Sequence, residues 1–391
     1  MPRATGGYER TTVGGEDVAA FVPHPLPPLD PPLDLDETAK GLLRQAEKGL
    51  AQLELAAEMV PSVHWFVYAF VRKEAVISSQ IEGTQATLLD LLNFEATDRV
   101  DSTSPEQVEE VCNYLDALAY ARDELRKESG LPVSMRLLNG AHERLMHGAR
   151  GGNKQPGEIR RSQNWIGGTR PGNAAFVPPP PHLLGDLLGA FEEYIHTESD
   201  LPPLVRAGLL HVQFETIHPY LDGNGRIGRL LITLLFEHWG VLPQPLLYLS
   251  LFFKRHRSEY YRLLGIVRTE GDWESWIKFF FEGVATITAE AVLAARDLFS
   301  LVNTDRVRVL DAKGSTLQSV RLFDRLPEHP IITIAKAVEL LETTKPTAAK
   351  AVNALVDVGI LAETSGRRRD RTFAYSDYLE HLRVGTELGE E

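Results

Sequence analysis

The chain has a single cysteine, Cys112, among 391 residues. One thiol rules out an intrachain disulfide and a Cys-x-x-Cys metal site, and it fits a reducing cytoplasm. Its ordinary place is that of a small apolar core residue rather than a nucleophile. No run of about 18 apolar residues is present, so no membrane span is expected. The opening residues lack the basic, apolar and small-residue order of a secretory leader. Nothing recurs at the periods of a solenoid. Positive charge is in deficit: 41 Lys and Arg against 54 Asp and Glu give a formal net charge of −13. That balance disfavours indiscriminate nucleic-acid binding by the whole chain, though not a local basic patch. The remaining composition, 43% hydrophobic and 24% charged, is that of a globular protein of roughly two or three domains.

Against this background one stretch stands out, His218-Pro219-Tyr220-Leu221-Asp222-Gly223-Asn224-Gly225-Arg226-Ile227-Gly228-Arg229. Helical periodicity precedes it (Val205, Leu209, Val212; Leu210, Phe214, Ile217) and follows it (Ile227, Leu230, Leu231, Leu234, Leu235). The stretch is therefore a loop feeding a helix N-terminus, where free N–H groups and the positive dipole end favour an anion such as phosphate. Glycines admit a ligand close to the backbone. Arg226 and Arg229 fall three apart and present forked donors suited to phosphate oxygens. The residues alone point to a polyphosphate site with a base, His218, beside it. Gly223-x-Gly225-x-x-Gly228 matches the dinucleotide fingerprint as a string, but that fingerprint needs a preceding strand, and here the pattern is helical. No Gly-Lys-Ser/Thr follows, so there is no Walker A loop. His211 and His218 are seven apart, which is not zinc spacing, so His211 reads as a packed helix residue.

The stretch resembles the Fic signature, His-Pro-Phe-x-Asp/Glu-Gly-Asn-Gly-Arg-x-x-Arg, with Tyr220 in place of the commoner Phe. The resemblance implies a mainly α fold: a helical core with a small β-hairpin flap. It also implies transfer of AMP from ATP to a Ser, Thr or Tyr hydroxyl of a protein. In these terms His218 is the general base and Asp222 the Mg²⁺ ligand. Gly223, Asn224, Gly225, Arg226, Gly228 and Arg229 bind the nucleotide. An aromatic near Tyr260-Tyr261 lines the adenine pocket, with Tyr261 the choice. Ser78-x-x-x-Glu82-Gly83 resembles the family's inhibitory motif, in which the glutamate pairs with the last signature arginine, here Arg229. A carboxylate on Arg229 competes with the ATP γ-phosphate for the same guanidinium. Release is expected from dimerisation or a bound partner that shifts the helix. The same site run on a modified target would hydrolyse AMP from it.

The rest of the chain is read around this core. Residues 1 to 35 are an arm; Phe21 to Pro32 carries too many prolines for a helix or central strand and reads as extended polyproline-like chain. Residues 36 to 150 read as helices, one capped by Asp36 and one ending near Gly83. Residues 151 to 301 form the catalytic core. Within it a hairpin over roughly 162 to 177 resembles the flap, on which a target segment docks as an added strand. Residues 302 to 328 are a linker. Residues 329 to 391 look like a winged helix-turn-helix. Its second helix follows Thr343-Thr344-Lys345-Pro346, and Ile360-Leu361 and Phe373-Ala374-Tyr375 are expected to pair as strands around the basic wing Gly366-Arg367-Arg368-Arg369-Asp370-Arg371. DNA through this unit and a homodimer are the further partners expected. A regulator that senses nucleotide and binds DNA is the competing class.

Overall fold

The structure, a computed structural model, describes residues 3–58, 62–97, 105–148, 151–366 and 370–388. An N-terminal hairpin, β1 (Gly6–Val13) and β2 (Glu16–Pro23), precedes the helices. Then come α1 (Glu37–Glu58), α2 (Val63–Ile81), α3 (Leu88–Thr97), α4 (Pro105–Arg126), α5 (Met135–Leu145) and α6 (Leu184–His196). The centre is made by α7 (Pro203–Ile217), α8 (Asn224–His238), α9 (Ser250–Arg255), α10 (Arg257–Glu270) and α11 (Trp273–Asp311). The last unit runs α12 (Leu317–Phe323), β3 (Ile331–Thr333), α13 (Ile334–Leu341), α14 (Lys345–Asp357), β4 (Ala362–Glu363), β5 (Thr372–Ala374) and α15 (Ser376–Arg383). Among the described residues no helix is long and apolar enough to cross a membrane.

Local chemistry explains the frame. Asp36 Oδ1 accepts the Ala39 N–H at 2.8 Å and starts α1. Leu43, Ala46, Leu50, Leu53 and Ala57 make its buried stripe, which packs along α11. Asp272 caps α11 by accepting the Ser275 N–H at 3.0 Å. By contrast α7 is buried on every side from Leu204 to Ile217, the mark of a central helix. Its one arginine, Arg206, donates to Tyr194, Ile195 and Thr197 carbonyls at 2.7, 3.0 and 2.9 Å, completing the open end of α6.

Four expectations change. The arm is not extended throughout, because Gly14 and Gly15, both at positive φ, turn β1 back onto β2 in register. Its proline-rich part lies on the core, where Arg3 donates to the carbonyls of Pro31, Pro32 and Gly271 and pairs with Glu274 at 2.7 Å. The hairpin over 162–177 reduces to one bridge, Ile166–Phe176. Gly167 and Gly168 at positive φ and a 3₁₀ turn at Pro171–Asn173 leave no room for a longer ladder. The boundary at 301/302 falls inside a helix, since Val302, Asp305 and Val309 continue the buried stripe of α11 to its end. In the last unit the antiparallel sheet has the order β3-β5-β4. Phe373 and Ala374 pair with Glu363 and Ala362 rather than with the Ile360-Leu361 expected. Arg367, Arg368 and Arg369 lie outside the described residues.

The α1–α11 contact is close enough to test. A Cβ on Gly49 would sit 2.0 Å from the hydroxyl oxygen of the buried Thr288. Gly49→Ala is expected to lower stability by about 1–3 kcal/mol, read as a lower urea midpoint at unchanged slope. An unchanged midpoint would mean the helices separate at no cost.

Candidate active site

The loop between α7 and α8 is held from behind by three side chains that sequence reasoning did not single out. Arg160, 1% exposed, donates to the carbonyls of His218 and Pro179. Its own backbone N–H donates to Pro219 O at 2.9 Å. His142 accepts the Gly157 N–H on Nδ1 at 2.9 Å, so its proton is on Nε2, which donates to Asp222 O at 3.0 Å. Burial holds this imidazole down to about 4, so it is neutral. It also stacks on Tyr220 at 3.8 Å. The Tyr220 hydroxyl donates to Asn139 Oδ1 at 2.8 Å, so the phenol that replaces the usual Phe is both buried and satisfied. Within the loop Asn224 closes a ring with Tyr220, accepting its N–H at 2.9 Å and donating to its carbonyl at 2.8 Å. Arg160, His142 and Asn139 lie 50 or more residues from the signature in sequence and carry no motif of their own.

His218 leaves α7 in the left-handed conformation, φ 50°. Its Nδ1 faces Glu215 O at 3.4 Å. Burial, and then Arg160, push the imidazole down to about 4. It is therefore an uncharged acceptor at neutral pH. Gly223, φ 78°, begins α8. Asp222 is partly exposed at the mouth, with Oδ1 accepting the Gly223 N–H at 2.6 Å.

Two guanidiniums lie beneath. Arg226 is 4% exposed, 3.8 Å from Asp222 and 4.0 Å from Glu110, and its Nε and Nη1 make no hydrogen bond among the described residues. Buried donors of a cation left open in this way suit an incoming anion. Arg229, 2% exposed, is fully engaged by the end of α2. It donates through Nε to Ser78 Oγ at 2.9 Å and through Nη2 to Ser78 O at 2.9 Å and Glu82 Oε1 at 2.8 Å. Burial works against the charged form of Glu82, but Arg229 outweighs it and holds the carboxyl below its ordinary range. A Cβ placed on Gly225 would stand 2.2 Å from Glu82 Oε1. The Glu82 carboxylate therefore rests on the first turn of α8, at the position a phosphate would take at a helix N-terminus. The expected trio of Ser78, Glu82 and Gly83 is brought to the signature, with Gly83 at φ 96° just past the helix end. Gly228 admits a further carboxyl, Glu215, which burial raises to about 7.

The two tyrosines separate. Tyr260 is buried and donates to His211 Nε2 at 2.8 Å, while His211 Nδ1 donates to Gly228 O at 3.0 Å. That assignment follows because Gly228 O can only accept. Burial pushes His211 down to about 3 and keeps it neutral. Tyr261 is 43% exposed beside Arg257. Among the described residues no group of three metal-ligating side chains occurs. The one carboxylate at the loop that could meet a cation is Asp222, a single ligand rather than a protein cage.

Residues 41–123 match the Fic/DOC family N-terminal domain, and residues 132–236 match the Fic/DOC family domain. Over 246 residues the chain is 30% identical to the protein adenylyltransferase Fic of Drosophila willistoni, covering 60% of this chain and 45% of that protein. The Drosophila virilis protein of the same name is also 30% identical over 246 residues, covering 60% and 46%. The chain thus spans a little under half the length of these curated relatives. Among solved structures, a Fic family protein from Desulfovibrio desulfuricans G20 superposes with a TM-score of 0.56 at 20% identity, covering 88% of this chain and 98% of that one. Fic-1 from C. elegans superposes with 0.52 at 20%, covering 66% and 73%. At such identity the likeness is one of fold.

The His211–Tyr260 pair supports α8 from below. Tyr260→Phe leaves His211 Nε2 without its donor and is expected to cost about 1–3 kcal/mol in chemical denaturation. Tyr261→Phe, at the half-exposed neighbour, should stay within about 0.5 kcal/mol. Equal effects of the two would remove the relay from the account.

Proposed function

We propose that this chain, whose residues 41–123 and 132–236 match the Fic/DOC family N-terminal and Fic/DOC family models, is a protein adenylyltransferase that transfers AMP from ATP to a hydroxyl of a target protein. The observation that carries this reading is the Glu82 carboxylate, held by Arg229 at 2.8 Å against the first turn of α8. It marks an anion site that a base, His218, overlooks.

In the reaction His218 Nε2 takes the proton of a Ser, Thr or Tyr hydroxyl. The oxygen attacks the α-phosphorus, a new P–O bond forms, and the bond to the β-phosphate bridge breaks to release pyrophosphate. Arg226, with open Nε and Nη1 donors, and Arg229 hold the outer phosphates. The N–H groups of Asn224 and Gly225 face the charge that develops on phosphate oxygens. Asp222 holds Mg²⁺, whose contribution is to neutralise phosphate charge. Tyr261 flanks the adenine. Ser78, Glu82 and Gly83 form a brake: while Glu82 occupies Arg229, the γ-phosphate has no clamp and the α-phosphate is misaimed.

The target enters as an extended segment. One side of 174–177 is already covered by β2, whose Phe21 N–H donates to Val177 O at 2.9 Å. The opposite side, along 163–167 with exposed Trp165 and Ile166, is the edge we assign to it. The half-buried Cys112 thiol, raised by burial to about 11, is inert, in keeping with a reducing cytoplasm.

The C-terminal unit supports a second role. We read its order, helix, strand, two helices and two paired strands, as a winged helix, and α14 exposes Lys345, Lys350 and Asn353. A joint Lys345→Ala, Lys350→Ala change should flatten the salt dependence of duplex DNA binding; an unaltered slope would sink this role.

For the main reading, incubation with α-labelled ATP and Mg²⁺ is decisive. Glu82→Gly should raise self-labelling on the order of 100-fold over wild type. His218→Ala added to it should abolish the label while ATP still binds. Equal labelling with and without Glu82 would remove the brake, and no labelling of chain or lysate protein would remove the transferase.

A further inference from the structure

The last turn of α2 is gripped on two opposite faces. Toward the site, Ser78 and Glu82 bind Arg229. The turn's remaining carbonyls are also taken: Gln80 O by Gly83 N–H at 3.0 Å, and Ile81 O by Arg257 at 3.3 Å. Gln80 lies two residues from each of Ser78 and Glu82, about 200° around the helix and so on the far side. Its amide makes three hydrogen bonds. Nε2 donates to Ala86 O and to Thr386 O, both at 2.9 Å, and Oε1 accepts from Lys254 Nζ at 2.7 Å. The same ammonium donates to Glu387 O at 2.6 Å. Two of these four contacts come from the chain's last described residues, Thr386 and Glu387, which lie 306 and 133 positions from their partners Gln80 and Lys254.

The segment that makes them is shaped for its seat. Thr386 is 1% exposed. Its N–H and its hydroxyl both donate to Arg383 O, at 2.8 and 2.7 Å. Gly385 turns at φ 83° directly over Leu251 of α9, where a Cβ would come within 2.7 Å of the side chain. Its N–H donates to Glu387 Oε2 at 2.7 Å, folding the tail on itself. This segment follows α15 and so belongs to the C-terminal unit. That unit touches α2 a second time, where His329 meets the ring of Tyr68 at 6.2 Å.

We propose that Gly385–Glu387 is a latch: seated between α2 and α9, it fixes the end of α2 so that Glu82 stays on Arg229, and its withdrawal frees Glu82. The inference rests on the brake described above and adds what sets it. The C-terminal unit is then the input, because any ligand that displaces α15 pulls the tail from Gln80 and Lys254. The coupling runs both ways: a nucleotide that dislodges Glu82 loosens the tail by the same factor.

Two variants test it, the chain ended after Val384 and full-length Lys254→Met. Each is followed by hydrogen exchange of the amides of residues 78–83, which needs no transfer, and by self-labelling with α-labelled ATP. Exchange at 78–83 is expected to accelerate and labelling to rise about fivefold or more. In a Glu82→Gly background neither variant should raise labelling further, since the latch acts on transfer only through that residue. Unchanged exchange in both variants overturns the latch. So does a rise in labelling that multiplies with that of Glu82→Gly, because the tail would then act elsewhere. If Glu82→Gly gives no label at all, the transferase reading fails by itself and the exchange data still decide the latch.

Discussion

The structure depends on how one buried cation is neutralised. Arg229 sits almost wholly out of water at the first turn of α8, and an unpaired charge there would be prohibitive. Its partners all come from α2: the Ser78 hydroxyl, the Ser78 carbonyl and the Glu82 carboxylate. The N-terminal helical region and the signature core are therefore joined by an electrostatic requirement, in addition to their apolar packing. Removing Glu82 without replacement leaves the cation under-compensated, and an anion is the natural replacement.

Around that pair, the signature loop is fixed by backbone carbonyls more than by side chains. Arg160 binds the carbonyl of His218, His142 that of Asp222, and Asn224 that of Tyr220. That support leaves the Arg226 Nε and Nη1 donors open among the described residues, beside a loop whose main chain is already fixed. Beneath it, the neutral His211 and Tyr260 hold the carbonyl of Gly228.

Much of this was legible in the sequence, and the pattern of what was not is instructive. The loop between two helices, the end of α2 near Gly83 and the cap at Asp36 follow from local rules, and the structure bears each out. The pairing of Glu82 with Arg229, 147 positions apart, came from motif resemblance, because no spacing rule reaches that far. The supports escaped notice for the same reason: Arg160 and His142 look like any arginine or histidine until the fold brings them to the loop. The N-terminal hairpin was missed although its turn signal, Gly14-Gly15, is local; the prolines after it drew the reading toward an extended arm. The flap was overdrawn, because a short apolar piece on each side of a glycine turn promises a ladder that Pro171 and its 3₁₀ turn cut to one bridge.

α11 carries a mechanical consequence. Its 39 residues span about 58 Å at the usual helical rise, from Trp273 in the core to Asp311 under the last unit. Tyr375 and Arg308 both close on Asp305 near its far end. The helix is a shaft shared by both halves of the molecule, so the last unit cannot tumble as a tethered bead. Any torque applied there is delivered along a stiff axis rather than dissipated in a flexible tether.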